Sequence, residues 1–503
     1  MIFSIKNTLM SWVMRKRIHQ IELFVKFPHD VQRDWLESLI STARFTEFGK
    51  KYHFNEISSY SSFRERVPLS NYEDLSPFIE RLRKGEENIL WPTESKWFAK
   101  SSGTSGQRSK YIPVTKESLN DCHFKGGKDM LSLYCYNYPK TQVFNGKSVI
   151  MGGSHEPSIS INKKDGDLSA IIVDNLPFWV NIHQTPNKDI RLMNDFENKI
   201  QQMALITAQE DVRTISGVPS WMLVLFQKIL EVKRADNISQ VWPNLELYMH
   251  GGVNFLPYKN QFEKLIPKGI NYLETYNASE GFFGIQDQKN SDEMLLMLDY
   301  GIFYEFIPVE EIDKPKAIPI WEVEKGKSYA MVISTNAGLW RYIIGDTIVF
   351  TCVKPYRIKI NGRIGQFINA FGEELILDNA EKAIQIACEE THANVNEYTA
   401  GPKYMTDSNQ AAHEWVFEFN KKPNNINKFK EILDLNLKIL NSDYAAKRNK
   451  NLALQKPIIH IVPLGFFYKW MKSQDKLGRQ FKVPRLSNNR NHLKSIFKLL
   501  KTL

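Results

Sequence analysis

Four hydroxyls and two glycines fill the six positions from Ser101 to Gly106 (Ser101, Ser102, Gly103, Thr104, Ser105, Gly106), and Gln107, Arg108, Ser109 and Lys110 follow. Small residues let a loop bring its backbone N–H groups against an anion. The hydroxyls add donors, and Arg108 and Lys110 add positive charge. The apolar runs Trp97-Phe98-Ala99 and Tyr111-Ile112-Pro113-Val114 flank the loop, so the setting is strand–loop–strand. A Walker A site needs strand–loop–helix and a Gly-Lys-Ser/Thr ending, and both are missing. Phosphate is the expected guest, and a P-loop ATPase or kinase is the wrong host.

A second cluster, Leu273 to Gly284, runs from an apolar strand through Tyr276, Asn277, Ala278, Ser279 and Glu280 to glycines. A strand-end carboxylate beside a phosphate loop suits Mg²⁺, which prefers oxygen ligands and bridges phosphates. Ser279 is a candidate donor to the same phosphate; the plain alternative is a turn with Glu280 in solvent. In the third cluster, Leu339 to Asp346, the carboxylate of Asp346 follows a β-rich run and Gly345. It can accept both hydroxyls of a ribose or be an ordinary turn aspartate. Gly251-Gly252, after the strand ending at His250, admits a ligand close to the backbone. Arg363, in Gly362-Arg363-Ile364-Gly365-Gln366, can reach phosphate or ribose from a hinge. Lys482, in Leu477 to Arg485, is either a solvated lysine or one held to stabilise charge on a phosphoryl oxygen. His155 is a candidate base whose alternative is a structural role. Neither a Gly-x-Ser-x-Gly elbow nor a His-Glu-x-x-His motif occurs.

The elements that must position these residues are read from periodicity. Residues 8–50 carry helical spacing, as in Trp35, Leu36, Leu39 and Ile40. From 95 to 360, β-rich runs alternate with helical patterns, as in a layered α/β domain. Strands are expected at 148–151, 245–249, 271–273, 330–333 and 347–350, and a helix after an N-cap at Ser220. After Tyr356 the grain changes. The pattern predicts a strand over 357–360, an Asn361-Gly362 turn and a second strand over 364–368. A capping box at Asp378 and Glu381 would open a helix. A strand at 414–419, a helix at 426–440 and a strand at 458–462 complete an α+β module. The expected division is 1–362 and 363–503. Phe178, Trp179, Trp221 and Phe226 are candidates for an apolar slot or for plain core.

With 503 residues and 42% hydrophobic content, the chain has material for two or three globular domains. The net charge of +10 is scattered, without a nucleic-acid signature. Cys122, Cys135, Cys352 and Cys388 are far apart, which suits a reducing cytosol and excludes a disulfide framework or structural zinc. The basic cluster Arg15-Lys16-Arg17 follows the first apolar stretch, the reverse of a secretion signal. No apolar run nears the roughly 20 residues of a membrane span. A cytoplasmic enzyme is expected.

In order and spacing these clusters resemble the adenylate-forming enzymes. Ser101 to Pro113, Tyr276 to Gly284, Tyr342 to Asp346 and the early Phe45-Thr46-Glu47-Phe48-Gly49-Lys50 are similar to the auxin-responsive (Gretchen Hagen) acyl acid amido synthetases in their bacterial form. The resemblance implies a large N-terminal α/β domain and a smaller mobile α+β C-terminal domain. It implies ATP and Mg²⁺ as cofactors, with a carboxylic acid and an amine, usually an amino acid, as substrates. A carboxylate would attack the α-phosphate, and the amine would then attack the acyl-adenylate. Ser101, Ser102, Gly103, Thr104 and Ser105 would cradle phosphates; Ser279 would touch the α-phosphate and Glu280 would hold Mg²⁺. Tyr276 would sit beside adenine and Asp346 would bind ribose, with Gly251, Gly252, Ala278 and Tyr342 completing the nucleotide set. Arg363 would assist from the hinge, and Lys482 would stabilise the adenylation transition state. Thr104-Ser105-Gly106 departs from the superfamily's Thr-Thr-Gly, and the hinge follows the general superfamily more than the plant branch. A thiol acceptor and a non-catalytic nucleotide- or nucleic-acid-binding protein are the alternatives. Nothing in the chain names the acid, the acceptor or the oligomeric state.

Overall fold

Strand-forming residues across the middle of the chain assemble one twelve-stranded sheet. The computed structural model describes residues 2–101, 110–153, 155–156, 163–253, 255, 258–312, 314–363, 367–405, 411–449, 453–474 and 483–501. One half of the sheet is parallel, in the order Gln184–Thr185, Lys147–Ile150, Val212–Ser216, Leu247–Gly251 and Asn271–Ala278. Parallel neighbours need crossovers, and the helices Phe196–Thr207 and Pro219–Lys233 supply two. The other half is antiparallel: Gly281–Ile285, Met294–Leu296, Tyr356–Arg363, Tyr342–Val353, Ser328–Thr335, Ile302–Pro308 and Ile318–Pro319. A hairpin turn between Ala278 and Gly281 joins the halves.

The helices expected near the start are Ile2–Arg15, Ile18–Lys26, Pro28–Ala43 and Glu47–Lys51. They bind the sheet by buried polar contacts as well as apolar packing. Arg17 donates from Nε to both oxygens of Asp129 (3.0 and 3.1 Å) and from Nη2 to Asp299 at 2.6 Å. Gln32 is fully buried and donates to the carbonyls of Leu298 and Ile302, both at 2.9 Å, while accepting from the Tyr304 N–H at 2.8 Å. A buried amide with three partners carries no desolvation debt.

Two local expectations change. The helix expected after Ser220 begins at Pro219, with Val218 before it. Proline is favoured at a first helical position because the N–H it lacks has no partner there. The Asn361-Gly362 turn is not formed. The strand Tyr356–Arg363 runs straight through it, and the register slips between Thr347↔Gly362 and Ile348↔Ile360, leaving Asn361 as a bulge residue.

Beyond residue 363 the helices Leu377–Thr391 and Ile426–Leu440 pack with the three-stranded sheet Asn394–Lys403, Ala412–Lys421 and Ile458–Val462. The second helix is capped by the Asn425 side chain, which accepts from the Lys428 N–H at 3.1 Å. The expected box at Asp378 is not the start of the first: Leu377 already lies in the helix, Ile376 precedes it without a side-chain cap bond, and Glu381 pairs with Arg485. A single apolar cluster joins Tyr248, Val253 and Phe255 to Ile368, Phe371 and Trp415. The Tyr258 hydroxyl donates to the Ala370 carbonyl at 2.6 Å across the same contact. Among the described residues no helix is long and apolar enough to cross a membrane.

Candidate active site

The phosphate-loop segment sits between the strands Trp97–Ser101 and Lys110–Val114, which pair antiparallel to the last position, Ser101↔Lys110. The strand–loop–strand reading is thus the observed one. Ser102, Gly103, Thr104 and Ser105 lie outside the described residues, and of Ser101 the backbone pairing is described. The hairpin is pinned from outside: Arg83 lies 3.4 Å over the Tyr111 ring and bonds Asp165 at 2.7 Å.

The hairpin leads to a cavity of about 1760 Å³ whose lining includes Gly251, Gly252, Tyr276, Ala278, Ser279, Glu280 and Asp346. This exceeds the several hundred Å³ of a one-ligand pocket and has room for a nucleotide and a second substrate. Ser279 and Glu280 are the two-residue turn between Asn271–Ala278 and Gly281–Ile285. They face the cavity half-buried, so the solvent-turn alternative for Glu280 is not what the fold builds. The turn admits little change. A Cβ on Gly281 would stand 2.8 Å from Ile302 Cδ1 and 2.9 Å from the Phe283 ring.

Tyr276 and Asp346 meet: the phenol donates to Asp346 Oδ2 at 2.7 Å. Their strands are four steps apart in the sheet order, which a flat sheet would hold roughly 19 Å apart. The bond therefore requires the sheet to curl over the cavity. Phe283 meets the Tyr276 ring edge-on at 4.8 Å. Asp346 also stands in register opposite Arg363, the last residue of its strand. The Arg363 side chain lies outside the described residues, as does Lys482. For His155 the backbone is described, paired with Gly166.

Three sequence readings are redirected. Tyr342 is fully buried in the apolar core and does not line the cavity, although Ile344 and Asp346 on the same strand do. Its neighbour Arg341, at φ 43°, is also structural. It makes a two-point ion pair with Glu305 (2.9 and 2.8 Å) and donates to the Val67 carbonyl at 2.7 Å. Of the aromatic slot candidates, Trp221 lines the cavity, Phe226 is core, and Phe178 is 81% exposed because its short helix projects outward. The Trp179 side chain lies outside the described residues. The glycines at 251 and 252 have their own reasons. A Cβ on Gly251 would lie 2.4 Å from the Thr275 carbonyl oxygen, and Gly252 has φ +79°.

The sequence reading missed two cavity groups. Burial pushes the Glu274 carboxyl up to about 7, and the Asp292 charge adds to it. Burial holds the His123 imidazole down at about 4, against a hydrogen bond to Asn277 that raises it. Glu274 had a signal, a carboxylate inside an apolar strand; His123 had none.

The fold is shared with two ligases of solved structure. It superposes on 2-hydroxyisobutyryl-CoA ligase in complex with 2-HIB-AMP and CoA with a TM-score of 0.59, at 12% identity over 94% of this chain and 92% of that one. The GH3.15 acyl acid amido synthetase gives a TM-score of 0.62, at 17% identity over 96% of both chains. The sequence matches the GH3 family N-terminal domain over residues 17–270, its central domain over 295–363 and its C-terminal domain over 378–491. The chain belongs to the GH3 family. Among curated relatives in Arabidopsis thaliana, the probable indole-3-acetic acid-amido synthetase GH3.1 is 23% identical, covering 94% of this chain and 91% of its own. The 4-substituted benzoates-glutamate ligase GH3.12 is 22% identical over 70% of each.

Proposed function

We propose that this chain is a ligase that activates a carboxylic acid with ATP and transfers the acyl group to an amine, an amino acid, to form an amide. The Tyr276–Asp346 bond beside the Ser279-Glu280 turn, on one cavity large enough for two substrates, carries the reading. Family membership and the named activities of the relatives support it.

In the first half-reaction a carboxylate oxygen attacks the α-phosphorus of ATP, and pyrophosphate leaves. In the second the amine attacks the acyl carbon, AMP leaves and the amine loses a proton. The protein's task is to hold acid and triphosphate in line and to stabilise charge as it develops. Asp346 accepts from the ribose hydroxyls, and Tyr276 fixes that carboxylate while its ring borders the base. Ser279 donates to the α-phosphate, and Ser101 to Ser105 surround the phosphates behind it. Glu280 fits Mg²⁺ as a single carboxylate at the cavity, since this ion is held by one or two carboxylates together with substrate phosphates. The ion would neutralise phosphate charge. Arg363 and Lys482 act from the segment 363–503, taken as a lid over the site, with Lys482 on the transferring phosphoryl group.

ATP–pyrophosphate exchange with a panel of aromatic, aliphatic and hydroxy acids tests the first step. Mass analysis with amino acids or with CoA as acceptor tests the second. Exchange with at least one acid and an amide product are expected. ATP binding without exchange for any acid would overturn the enzyme reading, and a thioester product would replace the amine by a thiol.

A further inference from the structure

Among the described residues, most buried cations have a partner at hydrogen-bond distance. Lys199 donates to the carbonyls of Gly152 and Gly153 at 2.7 and 3.0 Å, Lys163 meets Glu94 at 3.1 Å, and Arg448 grips Asp434 at 2.6 and 2.7 Å. Lys447, on the helix Ser442–Arg448, differs. It is 7% exposed and lines the cavity, yet among the described residues its ammonium makes no ion pair and donates no hydrogen bond. Its Nζ lies 3.8 Å from the centre of the Trp221 ring, a face that attracts cations without neutralising them. A buried ammonium with no direct ion pair is costly, and an anion arriving through the cavity would make that contact.

The surroundings narrow that anion. Burial pulls the Lys447 ammonium down, and the carboxylates of Asp443, Asp167, Glu373 and Glu374 act on it in the opposite sense. Glu373 is committed to the N–H of Phe371 and to His413, at 2.6 and 2.8 Å. Asp167, Glu374 and Asp443 line the cavity. Among the described residues, the charged groups that act on Lys447 are carboxylates, a setting that disfavours a triphosphate and complements a zwitterion. The position fits as well. Val218 lies 3.9 Å from where a Cβ would stand on both Gly252 and Gly372, and that point on Gly372 is 3.4 Å from Lys447 Nζ. Lys447 thus enters beside the Gly251-Gly252 segment, on a helix beyond residue 363.

We propose that Lys447 binds the α-carboxylate of the acceptor amino acid, with Asp167, Glu374 and Asp443 on the side of its amino group. The proposal rests on the amide-forming reading above. The Trp221 face backs the ammonium, and the arriving carboxylate makes the direct ion pair that the nearby acids do not.

The experiment separates the two half-reactions in full-length Lys447→Met and Lys447→Arg variants. ATP–pyrophosphate exchange, and acyl hydroxamate formed with hydroxylamine, report adenylation without an amino acid. Amide formation with the best acceptor amino acid, against its α-carboxamide, reports the carboxylate. In Lys447→Met, KM for the amino acid should rise roughly ten- to a hundredfold, with exchange and hydroxamate formation retained. Lys447→Arg should restore part of the loss. The unsubstituted enzyme should prefer the amino acid to its carboxamide, and Lys447→Met should lose that preference. An unchanged KM, no preference in the unsubstituted enzyme, or an equal fall in exchange would overturn the proposal. Should Lys447→Met not fold, the carboxamide comparison and Lys447→Arg still decide it. Exchange without any amino acid acceptor would overturn the amide reading and this proposal together; no exchange at all would overturn the adenylation reading.

Discussion

In the proposed function Asp346 would meet a ribose with one oxygen already engaged by Tyr276. Losing the carboxylate removes charge-assisted bonds worth about 1.5–3 kcal/mol. Asp346→Ala should therefore weaken ATP binding roughly ten- to a hundredfold, measured by calorimetry, whereas Tyr276→Phe should cost less because the acceptor remains. Equal ATP affinity in Asp346→Ala would contradict the ribose role. Glu274 offers a test by pH. Its carboxyl is raised from 4.5 to about 7, so between these values the folded protein holds a proton that the unfolded chain has released. Its contribution to stability is complete below 4.5 and is lost as pH rises through about 7. Glu274→Gln abolishes that titration. The variant should gain on the unsubstituted protein between pH 5 and pH 8, by up to about 3 kcal/mol in urea unfolding, and a pH-independent difference would refute it. At this scale the sequence located Glu280 and Asp346, both of which line the cavity, because a carboxylate after a β-rich run is visible in the residue type. It was misleading for Tyr342, which shares its strand parity with the cavity-lining Ile344 and Asp346 yet is buried in the core: the register shift between Tyr342 and Thr347 is set by the partner strand and is not visible in the alternation.

The elements hold these residues by close approach. A Cβ on Gly126 would lie 2.5 Å from the Phe282 ring, and the Phe282 N–H donates to the Cys122 sulfur at 3.1 Å, so the segment 118–137 presses on the hairpin that carries Ser279 and Glu280. Gly126→Val should overpack this contact at about 1–3 kcal/mol. It should also lower exchange activity more than a matched surface substitution, because Phe282 stands two residues from Glu280. Retained exchange with lowered stability would show that the turn tolerates the shift. The strands were legible because their apolar runs are long, as in 330–333 within Ser328–Thr335. The Asn361-Gly362 pair was misread for a physical reason. The same dipeptide that closes a hairpin also fits a bulge, and a partner strand, Tyr342–Val353, decides between them.

Across the whole molecule the apolar cluster continues past residue 363, from Tyr248 and Phe255 to Phe371 and Trp415. A chain cut to residues 1–362 would expose that face, and it should aggregate or melt well below the full chain on heating. A soluble fragment of equal melting temperature would show that the contact contributes little. Arg341 and Glu305 give a second test. Arg341→Met leaves Glu305 buried without its cation and should cost about 3–5 kcal/mol in denaturant unfolding.

Gln32 and Arg17 carry a consequence in time. Gln32 reaches its carbonyl partners 266 and 270 residues later in the chain, and Arg17 reaches Asp299 282 residues later. At ribosomal rates of about 5–20 residues per second, that separation is roughly 15 to 60 s of synthesis. The opening helices leave the ribosome first and finish folding late. For that interval the nascent chain carries a buried-type amide whose partners do not yet exist, and a guanidinium that can reach Asp129 but not yet Asp299.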